Sequence, residues 1–259
     1  MYRWLKIPRS SYYYKAVEPV SEAELGEKIK SIFLESKSRY GARKIKKCLE
    51  AQGINLSRRR IRRIMKRLNL VSVYQKATFK PQSKGKNEAP VPNLLERQFN
   101  QQKPLETLVT DLTYVRVANR WAYVCLIIDL FNREIIGLSV GWHKTAKLVK
   151  EAIQSIPYAL IKVKLFHSDR GKEFDNALID EMLEAFGITR SLSQAGCPYD
   201  NAVAESTYRS FKLEFINQET FRSLEELTLK TKDYVHWWNH HRIHSTLNYQ
   251  TPMTKRAIV

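Results

Sequence analysis

Apolar side chains in the first third of the chain recur at the spacing of amphipathic helices. A helix is predicted over Glu22–Leu34, and a second over Ala42–Gln52, where Gly53 follows in the position that glycine favours after a helix. A third helix follows Asn55 or Ser57, either of which can cap it. Its buried stripe consists of Ile61, Ile64, Met65 and Leu68. Two helices joined by a short glycine-containing turn predict a helix-turn-helix.

Arginines crowd the start of the second helix of that motif, where contacts with DNA bases and phosphates are made. They are Arg58, Arg59, Arg60, Arg62 and Arg63, and we predict that they bind DNA. The alternative interpretation is a plain three-helix bundle with a charged, solvated outer face.

The apolar periodicity is lost from Tyr74 to Pro92, where polar residues and three prolines are typical of a linker. The predicted organisation is a basic helical DNA-binding region at 1–73, a linker at 74–103 and a second domain at 104–259.

The second domain shows a succession of strand and helix patterns. Strands are predicted at 108–115, 123–130 and 134–140, with short gaps that indicate an antiparallel meander. The second strand is apolar throughout, as in a strand buried on both faces. There follow a helix at 145–155, a strand at 164–167, a helix at 176–186, a strand at 188–192 and a helix from 201. This is the order of an RNase H-like fold, so the predicted class is α/β, preceded by an all-α helix-turn-helix-type domain.

Composition narrows the class of protein. Of 259 residues, 43% are hydrophobic and 27% are charged, which indicates a globular protein rather than a disordered one. The longest apolar stretch, Trp121–Ile128, is far shorter than the roughly 20 residues that span a bilayer, so we expect no membrane association. The scattered cysteines form no disulfide framework, and the N-terminus lacks the apolar core of a signal peptide. These features favour the cytoplasm.

The net charge of +18 is concentrated at one end of the chain. Residues 1–86 hold 23 Lys and Arg against 6 Asp and Glu, a net +17, and the remainder is close to neutral. A domain that binds a polyanion beside a domain with another task produces this distribution. A solvated basic face is the alternative.

Three carboxylates occupy informative places in the predicted fold. Asp111 lies in the first strand, Asp169 follows the fourth, and Glu205 lies in the first turns of the helix from 201. In an RNase H-like sheet these strands are neighbours and the helix packs across them, so the three side chains can converge. Carboxylates suit Mg²⁺, and two ions about 3.5–4 Å apart can clamp a scissile phosphate. Taken singly, each could be a turn or solvated residue, and Asp129 looks equally buried.

The spacing of these acids carries a resemblance to a known family. Thirty-five residues separate Asp169 from Glu205, and Lys212 stands seven after Glu205. This resembles the Asp, Asp, thirty-five residues, Glu signature of the integrase catalytic core shared by retroviral integrases and many bacterial transposases. The surrounding strings resemble, in order, transposases of the IS3 family: Y-G-A-R-K-I-K-K-C-L-E, T-D-L-T-Y-V, H-S-D-R-G-K-E-F, Y-D-N-A-V-A-E-S and W-N-H-H-R-I-H-S-T-L-N-Y-Q-T-P.

The resemblance implies a role for each matched residue. Asp111, Asp169 and Glu205 would bind two Mg²⁺ ions, for which Mn²⁺ can substitute. The chain would cleave DNA at the end of an insertion sequence, and the released 3′-hydroxyl would then attack another strand. Lys212, Arg209 and Asn201 would contact DNA, with capping of the helix as the alternative role of Asn201.

The resemblance also implies partners. They are double-stranded DNA, other protomers in a synaptic complex, and the product of an upstream reading frame as a frameshift fusion, since M-Y-R-W-L-K-I-P-R-S resembles the start of a second frame. Two rival functions stay open at this point: a non-catalytic DNA-binding regulator, and an RNase H-like nuclease that acts on RNA–DNA hybrids.

Overall fold

The computed structural model describes Pro8, residues 21–75 and residues 91–258. Residues 76–90, which make up much of the predicted linker, lie outside the described residues. The chain packs as two compact units, residues 1–72 and residues 73–259. In the described ranges, no helix is both long enough and apolar enough to cross a membrane.

From residue 21 onward, the described part of the first unit contains three helices, α1 (Glu22–Glu35), α2 (Ala42–Ala51) and α3 (Arg58–Arg67). These are the three helices that the apolar spacing predicts. Their shared core contains Leu25, Ile29, Ile45, Leu49, Ile61 and Ile64. Burial of this many branched side chains accounts for the packing of a small, highly charged unit.

The turn between α2 and α3 follows from two local features. Gly53 adopts a φ of +77°, a left-handed conformation that ends α2 at low cost only for glycine. The hydroxyl of Ser57 then accepts the backbone N–H of Arg60 at 3.2 Å, so Ser57, and not Asn55, caps α3.

The second unit contains a five-stranded mixed sheet. Its strands are β1 (Thr107–Val117), β2 (Arg120–Asp129), β3 (Ile135–Gly141), β4 (Leu165–Ser168) and β5 (Thr189–Leu192). They are arranged in the order β3-β2-β1-β4-β5. The first three form an antiparallel meander, while β4 is parallel to both β1 and β5. This is the RNase H-like architecture that the element order predicts.

Helices cover both faces of this sheet. Those of the second unit are α4 (Ala146–Gln154), α5 (Ala177–Ala185), α6 (Ala202–Glu214), α7 (Leu224–His240) and the short α8 (Pro252–Arg256). Leu126 and Ile128 of β2 pack in the core that includes α6 and α7, whereas Cys125 and Ile127 pack with α4 and α5. The strand is therefore buried on both faces, as its unbroken apolar run indicates.

Asp129, which looks as buried in the sequence as Asp111, has structural partners. Its carboxylate accepts the backbone N–H groups of Leu105 and Phe131, each at 3.0 Å. It also lies 2.7 Å from the guanidinium of Arg256 in α8. These contacts satisfy a fully buried carboxylate and hold the end of β2 to the C-terminal helix.

Part of the segment that the sequence assigns to a linker packs on the second unit. Leu95 is 2% exposed and belongs to the core on the α6 and α7 side of the sheet. The hydroxyl of Ser191 accepts the backbone N–H groups of Leu94 and Leu95 at 2.9 and 3.3 Å. Tyr74 also donates its hydroxyl to Glu214 of α6. A single pair of leucines in a polar stretch produces no periodic signal, so the sequence pattern does not reveal this packing.

Candidate active site

Asp111 lies in β1, and Asp169 directly follows β4, the parallel neighbour of β1. Val109 of β1 pairs with His167 of β4. Asp111 and Asp169 each stand two residues further along in the same direction, so continuation of this register brings them opposite each other. Burial raises the pKa of Asp111, and the negative charge of Asp169 raises it further, as expected for two carboxylates in close proximity.

Helix α6 is tied to β1 at this same level. The side chain of Asn201, just before the helix, donates to the carbonyl oxygen of Thr110 at 3.0 Å, and the hydroxyl of Tyr208 donates to the carbonyl oxygen of Asp111. Glu205 lies four residues after Asn201 and three before Tyr208, which places all three on one side of the helix. The charge of Glu205 also raises the pKa of Asp111. The three predicted carboxylates thus share one neighbourhood.

Asn201 does not use its side chain to cap α6. It occupies the position before the helix, but its side chain makes no capping hydrogen bond there. It is 3% exposed and directed at β1 instead. The spacing to Glu205 is visible in the sequence, whereas the partner on β1 is not.

The Tyr208 hydroxyl joins helix α6 to two strands. Besides donating to Asp111, it accepts the backbone N–H of Leu126, the residue paired with Asp111 on β2. Burial raises the pKa of this hydroxyl well above its usual value, so it stays protonated and continues to donate. Sequence reasoning missed this role because an aromatic residue in an amphipathic helix predicts core packing alone.

The electrostatic environment of Asp111 disfavours its charged form. Burial raises the pKa of Asp111 to about 7, and the negative charges of Asp169, Glu205 and Glu173 act in the same direction. The backbone N–H of Leu112 donates to its Oδ1 at 2.7 Å and partly offsets this by stabilising the charge. Burial also raises the pKa of Asp169.

A fourth carboxylate, Glu173, lies near the two aspartates and is 7% exposed. The ammonium nitrogen of Lys144 lies 2.8 Å from its Oε1. Burial lowers the pKa of Lys144, but the ion pair with Glu173 and the charges of Asp169 and Asp111 outweigh this and raise it. Glu173 turns back over Gly171, where an added Cβ would collide with the Glu173 carboxylate. Sequence reasoning missed Glu173 because its partner comes from another segment.

His167, two residues before Asp169, is held as a neutral structural group. Its ring nitrogens lie 2.8 and 3.2 Å from the hydroxyls of Ser191 and Ser193. Burial lowers the pKa of His167 to about 4. The imidazole therefore holds β4 to β5 and to the residue that follows β5, and it is neutral at neutral pH.

The donor set fits a hard divalent cation. Asp111 and Asp169 are neighbouring oxygen donors whose mutual repulsion a cation would relieve, and oxygen ligands are what Mg²⁺ prefers. As the side chains of the described residues stand, no three His, Cys, Asp or Glu groups lie close enough to share one metal ion. The carboxylates are thus gathered in one region without forming a closed coordination shell.

Two cations predicted to contact DNA lie on α6 beside the carboxylates. Arg209 is exposed one turn after Glu205. Lys212 follows on the same helix, and its ammonium nitrogen lies 4.4 Å from the centroid of the Tyr114 ring. Both positive charges therefore belong to the helix that carries Glu205.

The arginines predicted to bind DNA differ in their surroundings on α3. Arg63 forms an ion pair with Glu22 at 2.9 Å, and Arg60 is half-buried. Those that are exposed, and that have no ion pair within the described part of the first unit, are Arg58, Arg59 and Arg62. These three are the members of the set best placed to meet a polyanion.

We expect the metal-free chain to lose stability as the pH rises through the titration of Asp111. The pKa of Asp111 is about 7 in the folded state, against roughly 3.9 for an unperturbed aspartate. The folded state therefore binds more protons between these values, and loss of the proton disfavours folding. The measured quantity is the melting temperature of Asp111→Asn minus that of the wild type, in EDTA. This difference should be more positive at about pH 8 than at about pH 5.

The matched control for this measurement is Asp233→Asn, because Asp233 is an exposed aspartate on α7. Its melting temperature relative to the wild type should not change with pH. A difference for Asp111→Asn that is constant over the same pH interval would contradict the assigned titration.

Known protein families match both parts of the chain. The family described as HTH-like domain matches residues 21–78, and two families described as Integrase core domain match residues 101–198 and 186–252. The transposase for insertion sequence element IS904 of Lactococcus lactis is 31% identical over 238 residues, which cover 91% of this chain and 94% of that protein. Transposase InsF for insertion sequence IS3A of Escherichia coli is 33% identical over 217 residues, which cover 82% of this chain and 75% of that protein.

Among solved structures, the HTLV-2 integrase catalytic core domain in complex with magnesium is similar to 58% of this chain over 94% of its own length. The sequence identity is 15% and the TM-score is 0.42.

Proposed function

Since this chain belongs to the IS3 family of bacterial insertion-sequence transposases, we propose that it is a DDE-type enzyme that hydrolyses a DNA phosphodiester at the element end. The released 3′-hydroxyl then attacks a phosphodiester of another strand, and a new bond replaces the broken one. The observation that carries this proposal is the parallel pairing of β1 with β4, whose register directs Asp111 and Asp169 toward one level, with Glu205 on a helix tied to β1 there.

In this proposal Asp111, Asp169 and Glu205 hold two Mg²⁺ ions, and Mn²⁺ can substitute. When bound, the divalent ions would activate the attacking water or 3′-hydroxyl and would stabilise the leaving oxygen. The raised pKa of Asp111 supports this role, because burial and the neighbouring negative charges both disfavour its ionised form and a bound cation would offset them. No histidine base is needed, and the neutral, buried His167 is not used as one.

The other residues of the site position and balance these groups. Asn201 and Tyr208 hold α6 against β1, so that Glu205 stays at the level of Asp111. Lys144 balances the charge of Glu173. We assign Asn201 this positioning role because of its burial, and its predicted contact with DNA stays a prediction.

The DNA-binding part of the proposal uses cations from both units: those on α6 of the second unit and those on α3 of the first. Lys212 and Arg209 are suited to phosphates near the reacting bond, because they follow Glu205 on the same helix. The exposed arginines of α3 supply affinity for double-stranded DNA through release of counterions.

Replacement of Arg58, Arg59 and Arg62 together by Gln should weaken binding of duplex DNA and flatten its dependence on salt. Each phosphate that the variant no longer neutralises should reduce the log–log slope by about 0.9. The measurement is the dissociation constant at several salt concentrations. A matched triple substitution of exposed cations in the second unit, Lys147, Lys162 and Lys232, serves as control. A slope equal to that of the wild type would move the DNA-binding surface away from α3.

The proposal is tested with the purified chain, Mg²⁺ and labelled duplexes that carry the ends of its own insertion sequence. We expect nicked products with a 3′-hydroxyl at the element end, followed by products joined to a second strand. Absence of any cleavage, with intact binding, would favour the non-catalytic regulator. Preferential cleavage of the RNA strand in an RNA–DNA hybrid would favour the RNase H-like nuclease.

Joining of two DNA ends requires more than one active site in one complex, so assembly of several protomers on DNA is part of the proposal. The frameshift fusion with an upstream product stays a prediction from the sequence. A comparison of the isolated chain with such a fusion, in gel-shift assays on end and scrambled DNA, tests it.

A further inference from the structure

An exposed surface with aromatic rings begins next to the proposed active site. Tyr114 on β1 is 57% exposed and Trp121 on β2 is 49% exposed. Their rings meet edge to face with centroids 5.1 Å apart. We call Tyr114, Trp121 and the two cations beside them, Arg116 and Lys212, the aromatic surface.

Both cations of the aromatic surface lie over its rings. The ammonium nitrogen of Lys212 is 4.4 Å from the centroid of Tyr114, and the guanidinium carbon of Arg116 is 5.2 Å from that of Trp121. Between Asp111 and Asp129 the two strands and their turn contain no Asp or Glu. The aromatic surface is therefore positively charged, and it suits a ligand that has negative groups and flat rings.

The position of the aromatic surface relates it to the reacting bond. Tyr114 stands three residues beyond Asp111 on the same strand, about 10 Å along an extended chain and with its side chain on the opposite face. Lys212 lies two turns after Glu205 on α6. The last residues of β1 and β4 that pair are Val109 and His167, so β4 does not cover β1 at Tyr114. The aromatic surface therefore reaches the site through Lys212 of α6, at a part of β1 that β4 does not cover.

A cross-strand aromatic pair also stabilises a hairpin, which explains the contact between the two rings. It does not explain why half of each ring stays exposed, or why two cations and no carboxylate of the hairpin surround the pair. Duplex DNA offers phosphates and groove edges, but its base faces are covered by stacking. Unpaired bases offer both their faces and their phosphates, and exposed aromatic side chains in a basic groove bind them by stacking.

We infer that the aromatic surface binds unpaired bases of the DNA strand next to the phosphodiester that reacts. This inference deepens the proposed function, since it assigns a ligand to the surface beside the proposed catalytic carboxylates. Tyr114 and Trp121 stack on bases, while Arg116 and Lys212 meet the phosphates between them. A DNA end that is frayed or carries a single-stranded tail should then bind more tightly than the same end fully paired.

The test measures binding by the full chain in EDTA, so that it does not depend on catalysis. The probes are two duplexes with the same end sequence, one blunt and one with three unpaired nucleotides that include 2-aminopurine. The wild type should bind the tailed duplex more tightly, by about tenfold for each base that stacks, and should quench 2-aminopurine fluorescence. Equal affinity for the two duplexes would overturn the inference.

Matched variants separate stacking from folding. Tyr114→Leu with Trp121→Leu should abolish the preference and the quenching, whereas Tyr114→Phe with Trp121→Phe should retain both. The control is Phe186→Leu, which removes an aromatic ring that is 43% exposed at the end of α5. A preference that persists in the double leucine variant, or that disappears equally in Phe186→Leu, would overturn the inference. Failure of the proposed function would appear separately, as absence of strand joining in Mg²⁺.

Discussion

Strand transfer by Asp111→Asn, Asp169→Asn or Glu205→Gln is expected to fall by about 10³-fold or more, to the limit of detection. Each substitution removes one negatively charged oxygen ligand and leaves the volume of the side chain nearly unchanged. The loss should appear in both hydrolysis and joining, because one set of carboxylates would serve both steps. The measurement is the yield of cleaved and joined products from labelled element ends in Mg²⁺ and in Mn²⁺.

Folding and DNA binding should survive these substitutions, since none of the three side chains fills the apolar core. Asp233→Asn is the matched control, because Asp233 is an exposed aspartate on α7 that lies outside the proposed site. Melting temperatures and gel shifts establish that a variant without activity is folded and binds its substrate. Joining at close to the wild-type rate by any one variant would show that its carboxylate is not a catalytic ligand.

Replacement of Glu214 by Gln is expected to lower the free energy of unfolding of the second unit by about 3–5 kcal/mol. The Glu214 carboxylate is fully buried and accepts hydrogen bonds from the Arg242 guanidinium at 2.8, 2.9 and 3.1 Å. It also accepts the hydroxyl of Tyr234 at 2.9 Å. The substitution would leave the Arg242 charge buried without its partner, which costs more than the ion pair contributes when intact.

Urea unfolding followed by tryptophan fluorescence is a suitable measurement, because Trp238 lies against the Arg242 guanidinium at 4.2 Å. Glu219→Gln is the control: its ion pair with Lys230 is at the surface, and we expect a loss below about 1 kcal/mol. Glu214→Leu combined with Arg242→Met should be less damaging than Glu214→Gln, since no unpaired charge remains. A change of less than about 1 kcal/mol for Glu214→Gln would contradict this account.

Local sequence patterns predict those features whose physical cause is local. The apolar run of β2 indicates a strand buried on both faces because such a run can be satisfied only between two layers of helices. The caps and turns of the first unit follow from Ser57 and Gly53 for the same reason. The neighbourhood of Asp111 and Asp169 follows once the strand order is assigned, because parallel strands in register bring fixed positions to one level.

Features whose partners are distant in the chain could not be predicted in this way. Glu173 resembles a solvated loop residue until Lys144, from another segment, is placed beside it. Tyr208 resembles an ordinary core residue, and its polar role depends on backbone groups of Asp111 and Leu126. Leu95 stands in a polar stretch, where one adjacent leucine is too short a pattern to signal its burial in the sheet core. In each case the feature depends on a tertiary contact with a distant part of the chain.

The parallel pairing of β1 with β4 also has a consequence for the order of folding. β1 meets β2 across a tight turn, whereas β4 joins β1 only after a stretch of chain that contains β2, β3 and α4. Longer closures cost more entropy and form later, so the meander should assemble first. The repulsion between Asp111 and Asp169 would then arise only in the last steps of folding, after most of the core has formed. We expect Phe166→Leu, a buried change in β4, to accelerate unfolding more than it slows refolding in stopped-flow measurements.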